Sequence, residues 1–426
     1  MKIATRHVSK AGIVAIIVAV MPSAMAILPW DFGEDMTPLR AILRGMALPV
    51  VICEIIAITF AVSAGFKPYR YLNSVDRICK IGLLLLTAIA LYTSLFVATS
   101  PGLALMGFNI WAVHLLFGFS IYALAREGKL SDDIHLWSTV GCGILIYSII
   151  LAFFVSTVEN PDSFPWSGLL PGNTNVRQLG FIAAIGFAAG VVSCTCSLRN
   201  WVFWLGFIFS TTGMSIALWS GNRGVLVALT AGLFAAIIVK PELRTIRFSM
   251  WLIGVIIAGV LVSVIAYKPN ELFGLERIWS SFFREVNTIN SVSSGRIIMW
   301  EKTAEAIAEH PYFGHGENQF QLATGPTGGG FKQPHNAILQ YGYQWGILGG
   351  ALFFAMVGGL VRRIIRYKNW GQEISSSSII IIVSTLIYAL YDGALYSPYP
   401  VAMLVFAIAI TLGSFSQPAP AGDRSD

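Results

Sequence analysis

The longest polar interval of the chain runs from residue 268 to 336 and reads KPNELFGLERIWSSFFREVNTINSVSSGRIIMWEKTAEAIAEHPYFGHGENQFQLATGPTGGGFKQPHN. Apolar segments lie on both sides of it, and each is long enough to cross a bilayer. A connection between two spans needs only a few residues, and loops as long as this one are usually functional or disordered. Because the interval also contains a helical pattern, we predict a membrane-embedded helix bundle that carries one large functional loop.

The composition supports the membrane assignment. Of the 426 residues, 55% are hydrophobic and only 12% are charged, whereas a soluble domain usually carries about 25% charged residues. The apolar residues fall in blocks of roughly 17 to 25, the length that crosses a hydrocarbon core. We therefore predict an all-α integral membrane protein whose first partner is the lipid bilayer. The net charge of +6 is dispersed among short loops, so we expect no nucleic-acid partner.

The distribution of lysine and arginine orients the predicted helices. Short basic stretches, such as residues 67–80 and 362–368, mark cytoplasmic loops by the positive-inside rule. About twelve spans result, with both termini in the cytoplasm. We expect the first span to be retained, although Ala24-Met25-Ala26 resembles a signal-peptidase site. The predicted parts are transmembrane helices 1–9 in residues 1–267, a large outer loop in residues 268–336, transmembrane helices 10–12 in residues 337–416, and a cytoplasmic tail in residues 417–426.

A group of basic residues lies on the outer side against this orientation rule. Arginine presents a planar fork of donors that matches phosphate oxygens, so several arginines at the outer surface suit a lipid-linked diphosphate. Arg223 is the strongest candidate, because it ends an apolar span between two glycines that let a ligand approach closely. For Arg40, Lys268, Arg277 and Arg284 we favour contacts with lipid headgroups or local ion pairs. The whole group is Arg40, Arg44, Arg177, Arg223, Lys268, Arg277, Arg284, Arg296, Lys302 and Lys332.

The loop contains one clear helical pattern. Ser294-Gly295 precedes a predicted helix from Arg296 to Glu309, with Ile297, Trp300, Ala304 and Ile307 forming an apolar stripe that rests on the membrane or caps the bundle. Arg296 then lies in the first turn, where the helix dipole and free N–H groups favour an anion. The segment 310–314 ends the helix, and the glycine-rich run 325–330 is predicted to be a mobile flap.

Histidines and one acid complete the candidate chemistry. His335 lies where the loop re-enters the membrane, and imidazole is the natural general base near neutral pH. His315 is left open between a functional and a structural role. Asp392 near the end of a span is expected to pair with one of the outer arginines. No spacing typical of a metal site appears in the outer loops, so we expect neither a metal ion nor a cofactor.

Three motifs in this order resemble the O-antigen ligase and O-antigen polymerase superfamily of bacteria. SGNRG at 220–224 is similar to its S-x-S-R-G element, and Ser294-Gly-Arg296 with HPYFGHG at 310–316 is similar to its loop pattern, which ends in P-x-x-G-x-G. His335-Asn336, nine residues and GILG at 346–349 match its H-N-x9-G-x-x-G element. Asn222 stands where serine is commoner, and Gln344 stands where glutamate is expected.

The resemblance implies a GT-C-type glycosyltransferase in the inner membrane with its active site in a long periplasmic loop. Its donor is a glycan on undecaprenyl diphosphate, and its acceptor is lipid A–core or another glycan. Arg223 and Arg296 then hold the diphosphate, and His335 activates the acceptor hydroxyl. The further candidates for substrate binding are Arg177, Arg44, Lys302, Asn336 and His315.

Three functions stay open at this point. Ligation of O-antigen onto lipid A–core in lipopolysaccharide biosynthesis comes first, because of the H-N-x9-G-x-x-G match and the single dominant loop. A polymerase that joins repeat units of O-antigen or exopolysaccharide on the same carrier comes second. A transporter or flippase of lipid-linked sugars is third, because transporter sites lie near the middle of the bilayer and here the unusual charge gathers at one face.

Overall fold

The computed structural model of the protein describes residues 10–27, 48–68, 70–71, 77–166, 170–173, 176–270, 273–283, 296–322, 333–367 and 370–416. Arg44, the glycine-rich run 325–330 and the entry into the loop helix at 294–295 lie outside these residues. The described chain is helical for most of its length, and side-chain caps explain where many helices begin. Asn200, Asn222 and Thr245 each accept a hydrogen bond from a backbone N–H in the first turn of the helix that follows.

We number the described helices in chain order. They are α1 (Lys10–Ile27), α2 (Leu48–Ser63), α3 (Arg77–Tyr92, continued as a π-helix over Thr93–Val97), α4 (Pro101–Arg126), α5 (Ile134–Thr157), α6 (Leu179–Val191), α7 (Trp201–Trp219), α8 (Arg223–Val239), α9 (Ile246–Ile265), α10 (Leu275–Phe283), α11 (Arg296–Glu309), α12 (Ala337–Arg366), α13 (Trp370–Glu373), α14 (Ser376–Ala389) and α15 (Pro398–Phe415). Short 3₁₀ turns flank α6 at Val176–Gln178 and Val192–Thr195.

Within the described residues, nine helices are long and apolar enough to cross a membrane: α1, α3, α4, α5, α6 with its flanking turns, α7, α9, α12 and α15. Three shorter apolar helices, α2, α8 and α14, lie at the remaining predicted span positions. The expectation of an all-α, multi-pass membrane protein is confirmed. That all twelve helices cross the bilayer, and that the fold is of the GT-C type, stay predictions.

Helices α6 and α15 form the centre of the bundle and are largely buried. α6 packs on α7, α15 packs on α4, and α8 packs on α14. The α6–α7 contact is close because of glycine: a Cβ atom on Gly213 would lie 2.2 Å from the Phe187 nitrogen. Ser210 reinforces it by donating to the Phe187 carbonyl at 2.7 Å. Small residues of this kind let membrane helices approach without a hydrophobic driving force between them.

The loop helix α11 begins and ends at the predicted residues, Arg296 and Glu309. Its buried side matches the predicted stripe only in part: Trp300 and Ile307 pack against the cluster of Met299, Phe320 and Tyr343. Met299 and Thr303 are buried, whereas Ala304 is exposed. The reason is that α11 caps the bundle by packing on α12, with Met299 in a small cluster around Tyr343. The inner face is therefore rotated from the one that the apolar residues alone suggested.

Candidate active site

The turn at 220–224 begins α8 and joins three elements. Asn222 accepts from the Val225 N–H at 3.3 Å, which makes it the N-cap of α8. Its side-chain nitrogen donates to the Arg177 carbonyl at 2.7 Å and to the Tyr388 hydroxyl. A serine at this position has one hydroxyl hydrogen and cannot make both donations. The asparagine therefore fixes the start of α8 against the start of α6 and the end of α14.

Arg223 is the first residue of α8 and is half-buried. Among the residues that the structure describes, no ion pair or side-chain hydrogen bond is found for its guanidinium. The adjacent Gly224 carbonyl accepts from the Tyr391 hydroxyl at 2.7 Å. The backbone beneath Arg223 is thus held in place while its donor fork remains available to a ligand.

Arg177 lies beside this turn. Its carbonyl is bound by Asn222 and also accepts from the Tyr388 hydroxyl at 3.2 Å. Its guanidinium is within electrostatic range of Arg296, Asp392 and Arg223. The structure therefore brings Arg177, Arg223 and Arg296 into one neighbourhood. All three are candidate site residues chosen from the sequence.

Arg277 also lies near these arginines, although the sequence favoured contacts with lipid headgroups or local ion pairs for it. Its side chain packs over Gly221, where a Cβ atom would lie 2.7 Å from the Arg277 Cδ. Burial lowers the pKa of Arg277, and the charges of Arg177 and Arg223 lower it further. The loop reaches this position because the Gly274 N–H donates to the Trp219 carbonyl at 2.7 Å. Gly221 adopts a positive φ of 60°, and a glycine after an apolar span is a sequence feature that allows such a close approach.

Asp392 connects Arg296 to His335. Arg296 Nη2 lies 3.3 Å from Asp392 Oδ2, and Arg296 Nη1 donates to the Tyr391 carbonyl. His335 Nδ1 lies 3.0 Å from Asp392 Oδ1, which also accepts from the Gly393 N–H at 2.7 Å. Burial raises the pKa of Asp392, but the hydrogen bond and charge of His335 and the charge of Arg296 outweigh it, so the pKa lies below its usual range. The predicted pairing of Asp392 with an outer arginine is present in the structure.

This contact defines which nitrogen of His335 carries a proton. An ionised carboxylate only accepts hydrogen bonds, so Nδ1 is the donor toward Asp392 and Nε2 is the nitrogen that accepts a proton in the neutral ring. His335 adopts a positive φ of 53°, which is uncommon for a residue with a side chain. Strained residues of this kind persist where the surroundings hold them and cluster at functional sites.

Asn336 is the N-cap of α12, with its side-chain oxygen accepting from the N–H groups of Ile338 and Leu339. Its side-chain nitrogen donates to the Leu390 carbonyl at 2.9 Å. The predicted substrate-binding residue therefore makes contacts within the protein that fix His335 beside the end of α14.

His315 also makes contacts within the protein, and they hold the loop in place. Its ring stacks on Tyr343 at 4.3 Å, and its Nε2 lies 2.9 Å from the Ala306 carbonyl. Burial lowers the pKa of His315, which favours the neutral ring that donates to this carbonyl. These contacts fasten α11 to α12, and none of them joins His315 to the arginines.

The turn at 310–316 docks on a break in α12. Gly346 adopts φ 68° and ψ −178° inside that helix, a conformation that is essentially restricted to glycine. The break leaves backbone groups unpaired within the helix, and the turn satisfies them. The His315 and Gly316 N–H groups donate to the carbonyls of Tyr343 and Gln344 at 2.7 and 2.8 Å, and the Ile347 N–H donates to the Pro311 carbonyl at 2.8 Å.

The structure does not place Lys302 among these residues. Lys302 is six residues from Arg296, which places it about 120° away around α11. Arg44 lies outside the described residues. Among the residues that are described, no group of three or more histidine, cysteine, aspartate or glutamate side chains is arranged to hold a metal ion.

The electrostatic balance of the site is one-sided. The positive charges of four arginines (177, 223, 277 and 296) repel one another. Within the described part of the chain, Asp392 is the acid whose negative charge offsets this repulsion. Each guanidinium raises the energy of its neighbours, so the group gains most from a ligand with at least two negative charges. A diphosphate has this charge and the oxygen geometry that arginine forks bind.

Residues 207–354 match the family model described as O-antigen ligase. This stretch contains the turn at 220–224, Arg296, the 310–316 turn, His335 and the Gly346 break, so the match confirms the resemblance drawn from those motifs. Arg177 and Asp392 lie outside it. No curated protein matches the chain.

Proposed function

We propose that the chain, whose residues 207–354 match the O-antigen ligase family model, transfers a glycan from undecaprenyl diphosphate to a sugar hydroxyl. The preferred reaction is ligation of O-antigen onto lipid A–core at the periplasmic face of the inner membrane. The observation that carries the proposal is the Arg296–Asp392–His335 contact, which joins a phosphate-binding cation to a proton acceptor beside three more arginines.

The proposed reaction is a single displacement. The acceptor oxygen attacks the anomeric carbon of the donor sugar, the bond from that carbon to the phosphate oxygen breaks, and the electron pair leaves with the diphosphate. Arg223 and Arg296 stabilise the charge that develops on this oxygen. His335 Nε2 takes the hydroxyl proton, and Asp392 stabilises the imidazolium that results. The products are the glycosylated acceptor and undecaprenyl diphosphate.

The proposed arrangement places the site at one end of the bundle. The starts of α8 and α12 and the end of α14 lie together, because Tyr391 contacts Gly224 and Asn336 contacts Leu390. In the proposed topology, residues 1–267 form nine spans, residues 268–336 form the periplasmic loop, residues 337–416 form three spans, and residues 417–426 form the cytoplasmic tail. A site at one end suits a transferase better than a transporter, whose substrate site lies near the middle of the bilayer.

The test uses the full-length protein in nanodiscs with an undecaprenyl-diphosphate-linked O-antigen donor and a lipid A–core acceptor. Wild type should form ligated lipopolysaccharide, and Arg223→Ala should lower the rate about 100- to 1,000-fold, the usual loss when one group that stabilises developing negative charge is removed. Arg362→Ala is the matched control, because Arg362 is an exposed arginine near the opposite end of α12. Equal rates for Arg223→Ala and wild type would contradict the proposed role of this arginine.

The same reaction separates ligase from polymerase. With donor alone, a polymerase lengthens the lipid-linked glycan, whereas a ligase leaves it unchanged until lipid A–core is added. A product that appears only with lipid A–core supports ligation, and a ladder of lipid-linked chains without it supports the polymerase. Movement of intact donor across the bilayer, with no new glycosidic bond, would favour the transporter instead.

A further inference from the structure

Contacts of Trp219 hold helix α10 on the end of α7. The Trp219 carbonyl accepts from the Gly274 N–H at 2.7 Å, and the indole N–H donates to the Tyr267 carbonyl at 2.9 Å. The indole ring packs against Phe273, with 4.6 Å between the ring centroids. Tyr267 and Gly274 lie near the two ends of the connection between α9 and α10. Both ends are therefore bound to α7, and the bundle fixes the position of α10.

The Arg277 side chain extends from α10 across Gly221, where a Cβ atom would lie 2.7 Å from the Arg277 Cδ and 3.2 Å from its Cβ. Gly221 precedes Arg223 by two residues. The charges of Arg177 and Arg223 act on the Arg277 guanidinium. Bringing a cation against two others raises the energy of all three, and an anion between them lowers it. The packing of α10 therefore adds a fourth cation to the candidate anion site.

The arginines follow one another in order from His335. Arg296 comes first, because Asp392 contacts both His335 and Arg296. Arg177 comes next, because it interacts electrostatically with Arg296 and Asp392. Arg277 comes last, because Arg177 is among the described charges that act on it and Arg296 is not. Arg277 is thus the arginine of this group at the end away from the proposed general base.

The proposed donor also has two different ends. One phosphate carries the sugar and the other carries the prenyl chain. The acceptor hydroxyl gives its proton to His335 and attacks the carbon bonded to the first phosphate, so this phosphate lies closer to His335. The lipid-linked phosphate then lies toward the other end of the arginines, where Arg277 is.

The outward side of α10 suits a position at the membrane surface. Trp279 follows Arg277 by two residues, which places it about 200° away around the helix. Its side chain is 68% exposed, whereas Arg277 is half-buried. Tryptophan is enriched at the boundary between hydrocarbon and water. This pattern places α10 at the level of the lipid headgroups, which is also the level of the phosphate next to a prenyl chain.

We propose that Arg277 is a donor-binding residue that holds the lipid-linked phosphate, so that the order of the arginines sets the direction in which the donor lies. The inference rests on the proposed function, because it assigns the two phosphates of the proposed donor. During transfer, new negative charge develops on the sugar-linked phosphate, and the charge of the lipid-linked phosphate stays the same. Arg277 therefore binds the substrate and the transition state equally, and its loss should change KM and not kcat.

Replacing Arg277 with methionine keeps an unbranched stem over Gly221 and removes the charge. In the nanodisc reaction, Arg277→Met should raise the KM for the donor about 10- to 100-fold, the loss of a hydrogen bond to a charged group. The kcat and the KM for lipid A–core should equal those of wild type. Arg277→Lys keeps the charge but lacks the fork, and it should raise the donor KM about 3- to 10-fold.

Lys268 provides the matched control. It is a half-buried basic residue on the same connection, before α10, and the described charges that act on Arg277 do not include it. Lys268→Met should therefore keep the wild-type KM for the donor. An equal rise in both methionine variants would mean that any cation of this loop attracts the donor, and it would refute the specific role of Arg277.

Binding of undecaprenyl diphosphate to the protein in nanodiscs gives a readout that does not depend on transfer. Arg277→Met should weaken this binding about 10- to 100-fold, and Lys268→Met should leave it unchanged. If wild type transfers glycan but Arg277→Met keeps the donor KM and this affinity, the role of Arg277 is refuted while the proposed function stands. A lower kcat with an unchanged donor KM would place Arg277 at the sugar-linked phosphate and refute the direction of the donor. If wild type forms no product but Arg277→Met alone loses diphosphate binding, Arg277 is a diphosphate ligand and the proposed function fails.

Discussion

Replacing Asp392 with asparagine tests whether this acid acts through His335. The carboxylate is 3.0 Å from His335 Nδ1 and 3.3 Å from Arg296 Nη2, and a hydrogen bond to a charged group contributes about 1.5–3 kcal/mol. The contact with His335 strengthens when the ring becomes charged, so its loss affects the transition state more than the bound substrate. We expect Asp392→Asn to lower kcat about 100- to 10,000-fold, the range for loss of a positioned general base, which is about 2.7–5.4 kcal/mol of barrier.

The assay is the nanodisc reaction with both substrates saturating. In a His335→Ala background, Asp392→Asn should lower kcat little further, because the effects of residues that act as a unit are not additive. Asp132→Asn is the control: this acid binds Ser378 and the Ser375 N–H at the opposite end of α14. It should lower the melting temperature without lowering kcat. A folded Asp392→Asn protein with wild-type kcat, or a fully additive double variant, would refute the coupling.

Three further outcomes follow from the site. Gly346→Ala should destabilise the protein by at least about 1–3 kcal/mol, because the new Cβ also meets the Tyr312 backbone at 2.3 Å. Gly358→Ala lies in open space on the same helix and should stabilise slightly, since alanine favours a helix interior over glycine. Thermal melting measures both. Arg296→Lys should slow transfer about tenfold or more, since lysine lacks the fork that reaches both partners, and a rate equal to wild type would contradict this. Because the pKa of Asp392 is depressed, its contribution to stability is complete above the unfolded pKa and is lost as pH falls through the folded value. Lowering the pH below about 4 should therefore reduce the melting temperature less in Asp392→Asn than in wild type.

The sequence predicted the helical membrane fold because apolar blocks and basic loops carry that information directly. Arg223 and His335 were predicted to belong to a site because each departs from the membrane pattern at the end of a span. The position of α11 was predicted from its periodicity, but its buried face was predicted only in part. Met299 faces inward because Tyr343 on α12 lies opposite, and a single helix pattern does not reveal its packing partner.

Two parts of the candidate site depend on contacts between distant residues. Arg277 resembles any arginine at a membrane surface until Gly221 is placed beneath it. Asp392 was expected to pair with one arginine, but its second oxygen is occupied by a histidine 57 residues away in sequence. Sequence spacing reports neighbours along a helix and not neighbours across a bundle.

The break at Gly346 explains why the two short motifs at 310–316 and 335–349 depend on each other. The turn at 310–316 supplies the hydrogen bonds that the broken helix lacks, so neither segment is complete without the other. His335 precedes the break by eleven residues, about 16 Å along a helix at 1.5 Å per residue. Because the turn follows α11 directly, docking it on α12 also sets where the other end of α11 lies. Arg296 is at that end, so its distance from His335 is fixed by a backbone contact far from both side chains.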